Sequence, residues 1–120
     1  MKTHKDLEVW RSAVDLARDV YAVTRSFPND EQFGLTSQMR RGAVSIASNI
    51  AEGAARQSTK EFVHFLFVAV GSASELDTQL EIAKVTEICD PSKLEQLQAS
   101  LTRVMMMLRG LIQSLKGNPN

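Results

Sequence analysis

Four long stretches of this chain place apolar residues every three or four positions, and the breaks between them fall where prolines, glycines and short polar runs cluster. That period is the signature of the α-helix, and no stretch alternates apolar and polar residues as a half-buried strand would. From about Asp6 to Ser26, Trp10, Val14, Ala17, Tyr21 and Thr24 recur at helical spacing. Phe27-Pro28-Asn29-Asp30 ends that stretch, because proline cannot continue the hydrogen-bond ladder and biases its predecessor away from helix. A second stretch keeps Leu35, Met39, Ala43, Ile46 and Ile50 on one face to about Ala55. Ser58-Thr59-Lys60-Glu61 matches a capping box and predicts a third helix start. That helix carries Phe62, Phe65, Leu66, Ala69, Ala73, Leu76, Leu80 and Ala83 along one stripe. Asp90-Pro91 supplies an N-cap followed by proline at the first helical position. The fourth stripe is Leu94, Leu97, Leu101, Val104, Met105, Leu108, Ile112 and Leu115, ended by Gly117-Asn118-Pro119-Asn120. The reading is all-α: helices over about 6–26, 35–56, 59–86 and 91–116, whose short connections make neighbours antiparallel in an up-down-up-down four-helix bundle, one domain over 1–120.

Composition supports a packed core. Of 120 residues, 43% are hydrophobic and 23% charged, far from the balance of disordered chains. One cysteine, Cys89, excludes an intrachain disulfide framework and any multi-cysteine metal site. No apolar run approaches the roughly 20 residues that cross a bilayer, and Met1-Lys2-Thr3-His4-Lys5-Asp6 lacks the apolar segment of a signal peptide. We expect a cytoplasmic protein without membrane association.

Two helices carry more apolar surface than one small bundle needs. On the first, Leu7, Trp10, Val14, Ala17 and Tyr21 fill one arc while Val9, Ala13, Leu16, Val20 and Val23 fill the next, together roughly half the circumference at 100° per residue. On the third, Val63, Phe67 and Val70 lie beside the core stripe and leave the segment from Phe62 to Val70 apolar all round except for His64. Exposed patches of that size are unusual on monomers. Two readings cover these faces, a wider core within one chain or an interface between copies made by the first and third helices; the interface is the one expected, with Val9, Val20, Val63, Phe67 and Val70 in it.

The most informative polar pattern lies on the second helix. Gln38, Arg41, Ser45, Asn49, Glu52 and Arg56 occupy an arc of roughly 80° at intervals of three and four residues. The stripe adjoins the apolar face, where an unpaired charge is expensive. A hairpin of the second and third helices turning near Gln57 would set Arg41 level with Glu75 as its ion-pair partner. Ser45 would then face Gly71-Ser72, where glycine admits close backbone approach. Two readings stand: a structural ladder that fixes register, or a ligand-facing groove.

Nothing points to catalysis. Di-iron bundles need paired Glu-x-x-His motifs on two helices; the one formal match, Glu61 and His64, has no second copy, and Glu61 serves the cap. No Ser/His/Asp or Cys/His arrangement is evident, so we expect no catalytic residues, no metal, no cofactor and no enzymatic activity. Met105-Met106-Met107 reads as core filling. Fourteen basic groups balance fourteen acidic ones, but unevenly along the chain. Residues 32–60 carry Arg40, Arg41, Arg56 and Lys60 against Glu52, a net of +3, and residues 91–120 carry Lys93, Arg103, Arg109 and Lys116 against Glu95, also +3. Residues 61–90 set one lysine against six carboxylates, a net of −5. Such asymmetry can steer self-association or leave a basic rim on an oligomer.

Leu7-Glu8-Val9-Trp10, Ala13, Tyr21, Phe27-Pro28 and Glu31-Gln32-Phe33-Gly34-Leu35 are similar to the opening of the four-helix-bundle family named for proteins encoded in intervening sequences of bacterial 23S ribosomal RNA genes. Ser37 to Gly53, SQMRRGAVSIASNIAEG, resembles that family's Q-x-R-R-A-x-x-S-x-x-x-N-I-A-E-G segment, with Gly42 where alanine is usual. Ser58-x-x-Glu61-Phe62 and Gly71-Ser72-x-x-Glu75-Leu76 complete a resemblance running from about Leu7 to Leu115. It implies a small cytosolic protein without known enzymatic activity that assembles as a homopentamer. A relative of the family, the accessory protein of diversity-generating retroelements, is a strongly basic pentameric bundle that works with a reverse transcriptase and RNA. By that likeness RNA, or a nucleic-acid-processing protein, is an implied partner, and Arg40, Lys60, Arg103 and Arg109 are candidates for contact with it. The alternative is a module that takes a protein or small ligand through the Gln38-to-Arg56 stripe.

Overall fold

The computed structural model describes residues 3–117, and every regular element among them is helical. Four α-helices span Glu8–Thr24 (α1), Leu35–Ala54 (α2), Thr59–Val85 (α3) and Pro91–Lys116 (α4), with 3-10 turns at His4–Asp6 and Asn29–Glu31. They pack in a closed cycle, α1 on α2, α2 on α3, α3 on α4 and α4 on α1, into a rod of 49 × 20 × 19 Å.

Each boundary has a local cause. α1 starts two residues later than its pattern indicates, because Thr3 and Asp6 cap the preceding 3-10 turn and Leu7 leaves the helical region at ψ 123°. Phe27 is buried just before Pro28, which anchors the α1–α2 connection. Glu31 Oε1 then accepts from Leu35 N at 3.2 Å, one of the orphan amides of a helix start. Ser58 Oγ accepts from Glu61 N at 3.1 Å, so α3 has the forward half of its capping box. Asp90 Oδ1 accepts from Ser92 N at 3.0 Å with Pro91 opening α4. α3 closes in a Schellman motif, Ile88 N donating to Ala83 O and Glu87 N to Lys84 O, with Glu87 in the left-handed region at φ 56°. The end expected beyond α4, Gly117-Asn118-Pro119-Asn120, includes residues 118–120, which lie outside the described residues.

The core is built from Met39, Ala43, Ile46 and Ile50 of α2, Leu66, Ala69, Ala73, Leu76 and Leu80 of α3, and Leu94, Leu97, Leu101, Val104 and Leu108 of α4. α1 contributes the arc read as surplus: Val9, Ala13, Leu16 and Val20 face inward, with Val20 at 0% exposure. Val9 and Val20 are thus interior residues and are corrected from interface to core. The other arc, Trp10, Val14, Ala17 and Tyr21, lies at the margin, half-buried or exposed. The cause is shape and chemistry: compact aliphatic side chains fill the tight interior, whereas Trp and Tyr place an apolar body with a polar tip at the edge.

Close approach of α2 and α3 occurs at a different glycine from the one expected. A Cβ on Gly71 would meet nothing within 4 Å, but one on Gly53 would stand 2.8 Å from Phe65 Cβ and 3.2 Å from the Phe62 carbonyl. Gly53 is what lets the two helices converge.

Candidate functional site

The polar stripe of α2 divides into two halves with different chemistry. In the lower half each side chain of the stripe has a partner within the protein. Asn49 Nδ2 donates to Ser45 O at 2.8 Å and to Ser45 Oγ at 3.0 Å. Ser45 Oγ and Ser72 Oγ lie 2.8 Å apart, so this hydroxyl pair ties α2 to α3. Arg56 donates to Glu52 Oε1 at 3.0 Å and lays its guanidinium over the Phe65 ring, 4.6 Å from the centroid. These residues form the structural ladder.

The upper half is open. Gln38, Arg41 and Glu75 are exposed, and among the described residues Arg41 and Glu75 form no ion pair, which corrects the expected bridge. Their side chains instead line one cleft of about 290 Å³ between α2 and α3, together with Gly42, Ser45, Ser72 and Gln79. Gln79 is buried to 8% exposure, and its Oε1 has no hydrogen-bond partner. Its burial escaped the stripe analysis because a glutamine at a core margin is invisible to apolar periodicity.

On the other side of Arg41 a wider, shallow cleft of about 590 Å³ is lined by Tyr21, Gln32, Phe33, Thr36, Ser37, Arg40, Arg41, Val44 and Ser45. Arg41 and Ser45 border both clefts. Phe33, just before α2, is 91% exposed.

The candidate RNA-contacting residues are not brought together. Arg40 is half-buried at the edge of the wider cleft, where its Nε donates to Thr24 Oγ1 at 2.9 Å and its guanidinium stacks 4.6 Å over the Tyr21 ring. Thr24 in turn donates to Val20 O at 2.7 Å, so Arg40 bridges α2 to the buried end of α1. Lys60, Arg103 and Arg109 are exposed. Arg109 borders a cleft of about 500 Å³ with Phe67, Ile112 and Lys116, where the Lys116 ammonium sits 5.8 Å from the Phe67 ring centre. Val63 and Val70 are half-buried and Phe67 is 46% exposed. Among the described residues no group of three His, Cys, Asp or Glu is placed to hold a metal ion, and no helix is long and apolar enough to cross a membrane. Burial pushes the Cys89 thiol up, which disfavours the thiolate.

Four packed helices, with side chains of the second helix tied to one another and to the third, define an all-helical bundle with a polar cleft between its second and third helices. The chain belongs to the 23S rRNA-intervening sequence protein family, whose model matches residues 5–110. A solved structure from Bacteroides thetaiotaomicron, described as a protein with unknown function from the S23 ribosomal protein family, is similar in fold: TM-score 0.81, 24% identity, covering 88% of this chain and 95% of that one. No curated protein matches the chain.

Proposed function

We propose that this protein is a non-catalytic, cytoplasmic scaffold of antiparallel, up-down-up-down bundles that assembles from copies of itself into a ring, with five members as the family likeness implies, and presents the α2 face to RNA or a nucleoprotein partner. The antiparallel arrangement is supported by the α2–α3 register, in which Gly53 meets Phe62 and Phe65, Ser45 meets Ser72, and Gly42 lies beside Leu76 and Gln79.

The observation that carries self-assembly is α3. Its inner side is buried in the core, yet its outer side exposes Phe67, Val68, Ile82 and Val85, the last at 68%. Exposed apolar side chains gathered on one side of a helix are characteristic of an interface. A second copy suits this face because α1, diagonal to α3 in the helix cycle, exposes Val14, and the chain sets a basic 32–60 segment against the acidic 61–90 segment through which α3 runs. Two unlike surfaces that attract each other make a heterologous contact, the kind that closes rings.

Light scattering tests this directly. The expected particle is a multiple of the 13.3 kDa chain, and a monomer at micromolar concentration overturns the assembly. For RNA, the expected binding weakens as salt rises, because contacts to phosphate release counterions. A second reading, a protein- or small-ligand-binding module, is favoured by the unpaired Arg41 and Glu75 across one small cleft. Binding indifferent to ionic strength selects it.

A further inference from the structure

We propose that the α2–α3 cleft is a slot for a guanine base presented by single-stranded RNA, with Phe33 as the stacking surface for the neighbouring base. The inference rests on the reading that the α2 face meets RNA, and adds which base and which side chains.

Three features converge. At the floor of the cleft Gln79 is 8% exposed and its buried Oε1 goes unpaired. A buried acceptor without a donor is a standing cost to the fold. Rotation about the last side-chain torsion of glutamine, a soft coordinate, exchanges its oxygen and nitrogen, so Gln79 can offer an acceptor or a donor to a group entering the cleft. On the walls, Arg41 and Glu75 offer opposite charges that leave each other unpaired. One wall therefore donates and the other accepts. Guanine is complementary to both: O6 and N7 accept from a guanidinium, while N1–H and the 2-amino group donate side by side to a carboxylate. Adenine and cytosine lack that adjacent pair of donors. The cleft of about 290 Å³ admits one base.

Beyond Arg41 the second cleft holds the solvated Phe33 ring near Tyr21. Single-stranded nucleic acid is recognised by aromatic stacking of one base beside hydrogen bonding to the edges of another. A hydrogen-bonding slot adjoining a bare aromatic ring fits a strand better than a protein segment, which would cover that ring with an apolar side chain and leave the polar slot unmatched.

The test uses the full chain and labelled RNA heptamers in a fluorescence anisotropy titration: UUUGUUU, UUUUUUU, and UUUIUUU with inosine, which lacks the 2-amino group. The guanine heptamer is expected to bind roughly tenfold or more tightly than the all-uridine one, with inosine between. Arg41→Ala and Glu75→Gln, both at exposed positions, should abolish the preference, and Phe33→Ala should weaken all three. Equal affinity for all heptamers overturns the slot but leaves RNA binding by the α2 face standing. No binding by any heptamer overturns both. A guanine preference that survives Arg41→Ala and Glu75→Gln places recognition elsewhere and also overturns the slot. GMP, with no neighbour to stack, should compete only weakly; competition as strong as the heptamer's removes the role of Phe33.

Discussion

At the scale of single residues, two glycines only eleven positions apart on α2 obey opposite rules. A methyl on Gly53 would collide with Phe65 and the Phe62 backbone, whereas one on Gly42 would find ordinary contact at 3.6 Å from Gln79 Oε1 and 3.9 Å from Leu76 Cβ. Gly53→Ala should therefore cost about 1–3 kcal/mol through forced separation of α2 and α3. Gly42→Ala should gain about 0.5–1 kcal/mol from the lower entropic cost of helix formation. Chemical denaturation of the two variants checks both, and a stable Gly53→Ala would mean the helices part without penalty. Glu87 is the third such residue. It holds the left-handed conformation that closes α3, a region costly to any side chain with a Cβ. Glu87→Gly should raise the melting temperature, by an amount equivalent to about 0.5–1 kcal/mol. Arg41 belongs at this scale too: with Glu75 exposed and unpaired, Arg41→Ala should leave stability almost unchanged, unlike removal of a buried ion-pair partner.

Among the elements, the start of α4 depends on a titratable group with a shifted pKa. Hydrogen bonds from the Ser92 amide and hydroxyl hold the Asp90 carboxyl below its ordinary value of 3.8. A carboxyl with a depressed folded pKa contributes stability above its unfolded value and loses it as pH falls through the folded one. Asp90→Ala should accordingly lower the melting temperature at neutral pH. The difference from the wild type should shrink below pH 3.8 and vanish once the cap is protonated. A gap independent of pH would assign the effect to Pro91 or to packing instead. The caps at Ser58 and Asp90 were both legible from local spacing, since capping chemistry involves residues two or three apart. The Glu31 bond to Leu35 N was not, because it depends on a 3-10 turn folding back through Gly34.

For the whole molecule, the exposed outer side of α3 governs behaviour in solution. Phe67→Glu places a charge among Val63, Val70 and the Arg109–Lys116 cleft, and should dissociate the assembly while far-ultraviolet circular dichroism stays helical. If the contact also joins the basic and acidic segments, high salt should loosen the wild-type assembly, since exposed charge attraction is screened within about 10 Å at 0.1 M. A particle of unchanged mass in both experiments would remove α3 from the interface.

Helix number, the starts of α3 and α4 and the core faces of α2, α3 and α4 follow from the order of residues alone, because apolar period and capping are set by neighbours a few positions apart. The pairing of Ser45 with Ser72 was likewise predictable, from the register of a hairpin with a short turn. Which of two apolar arcs of α1 turns inward was not, because Val9 and Trp10 are equally apolar to a periodicity and differ only in how they fit against three other helices. Nor was the fate of the arginines: Arg40 and Arg41 are adjacent in sequence, yet one is spent on Thr24 and Tyr21 and the other is left facing the Glu75 cleft. Long-range contacts alone decide that, since 100° of rotation per residue sends neighbouring side chains to different helices.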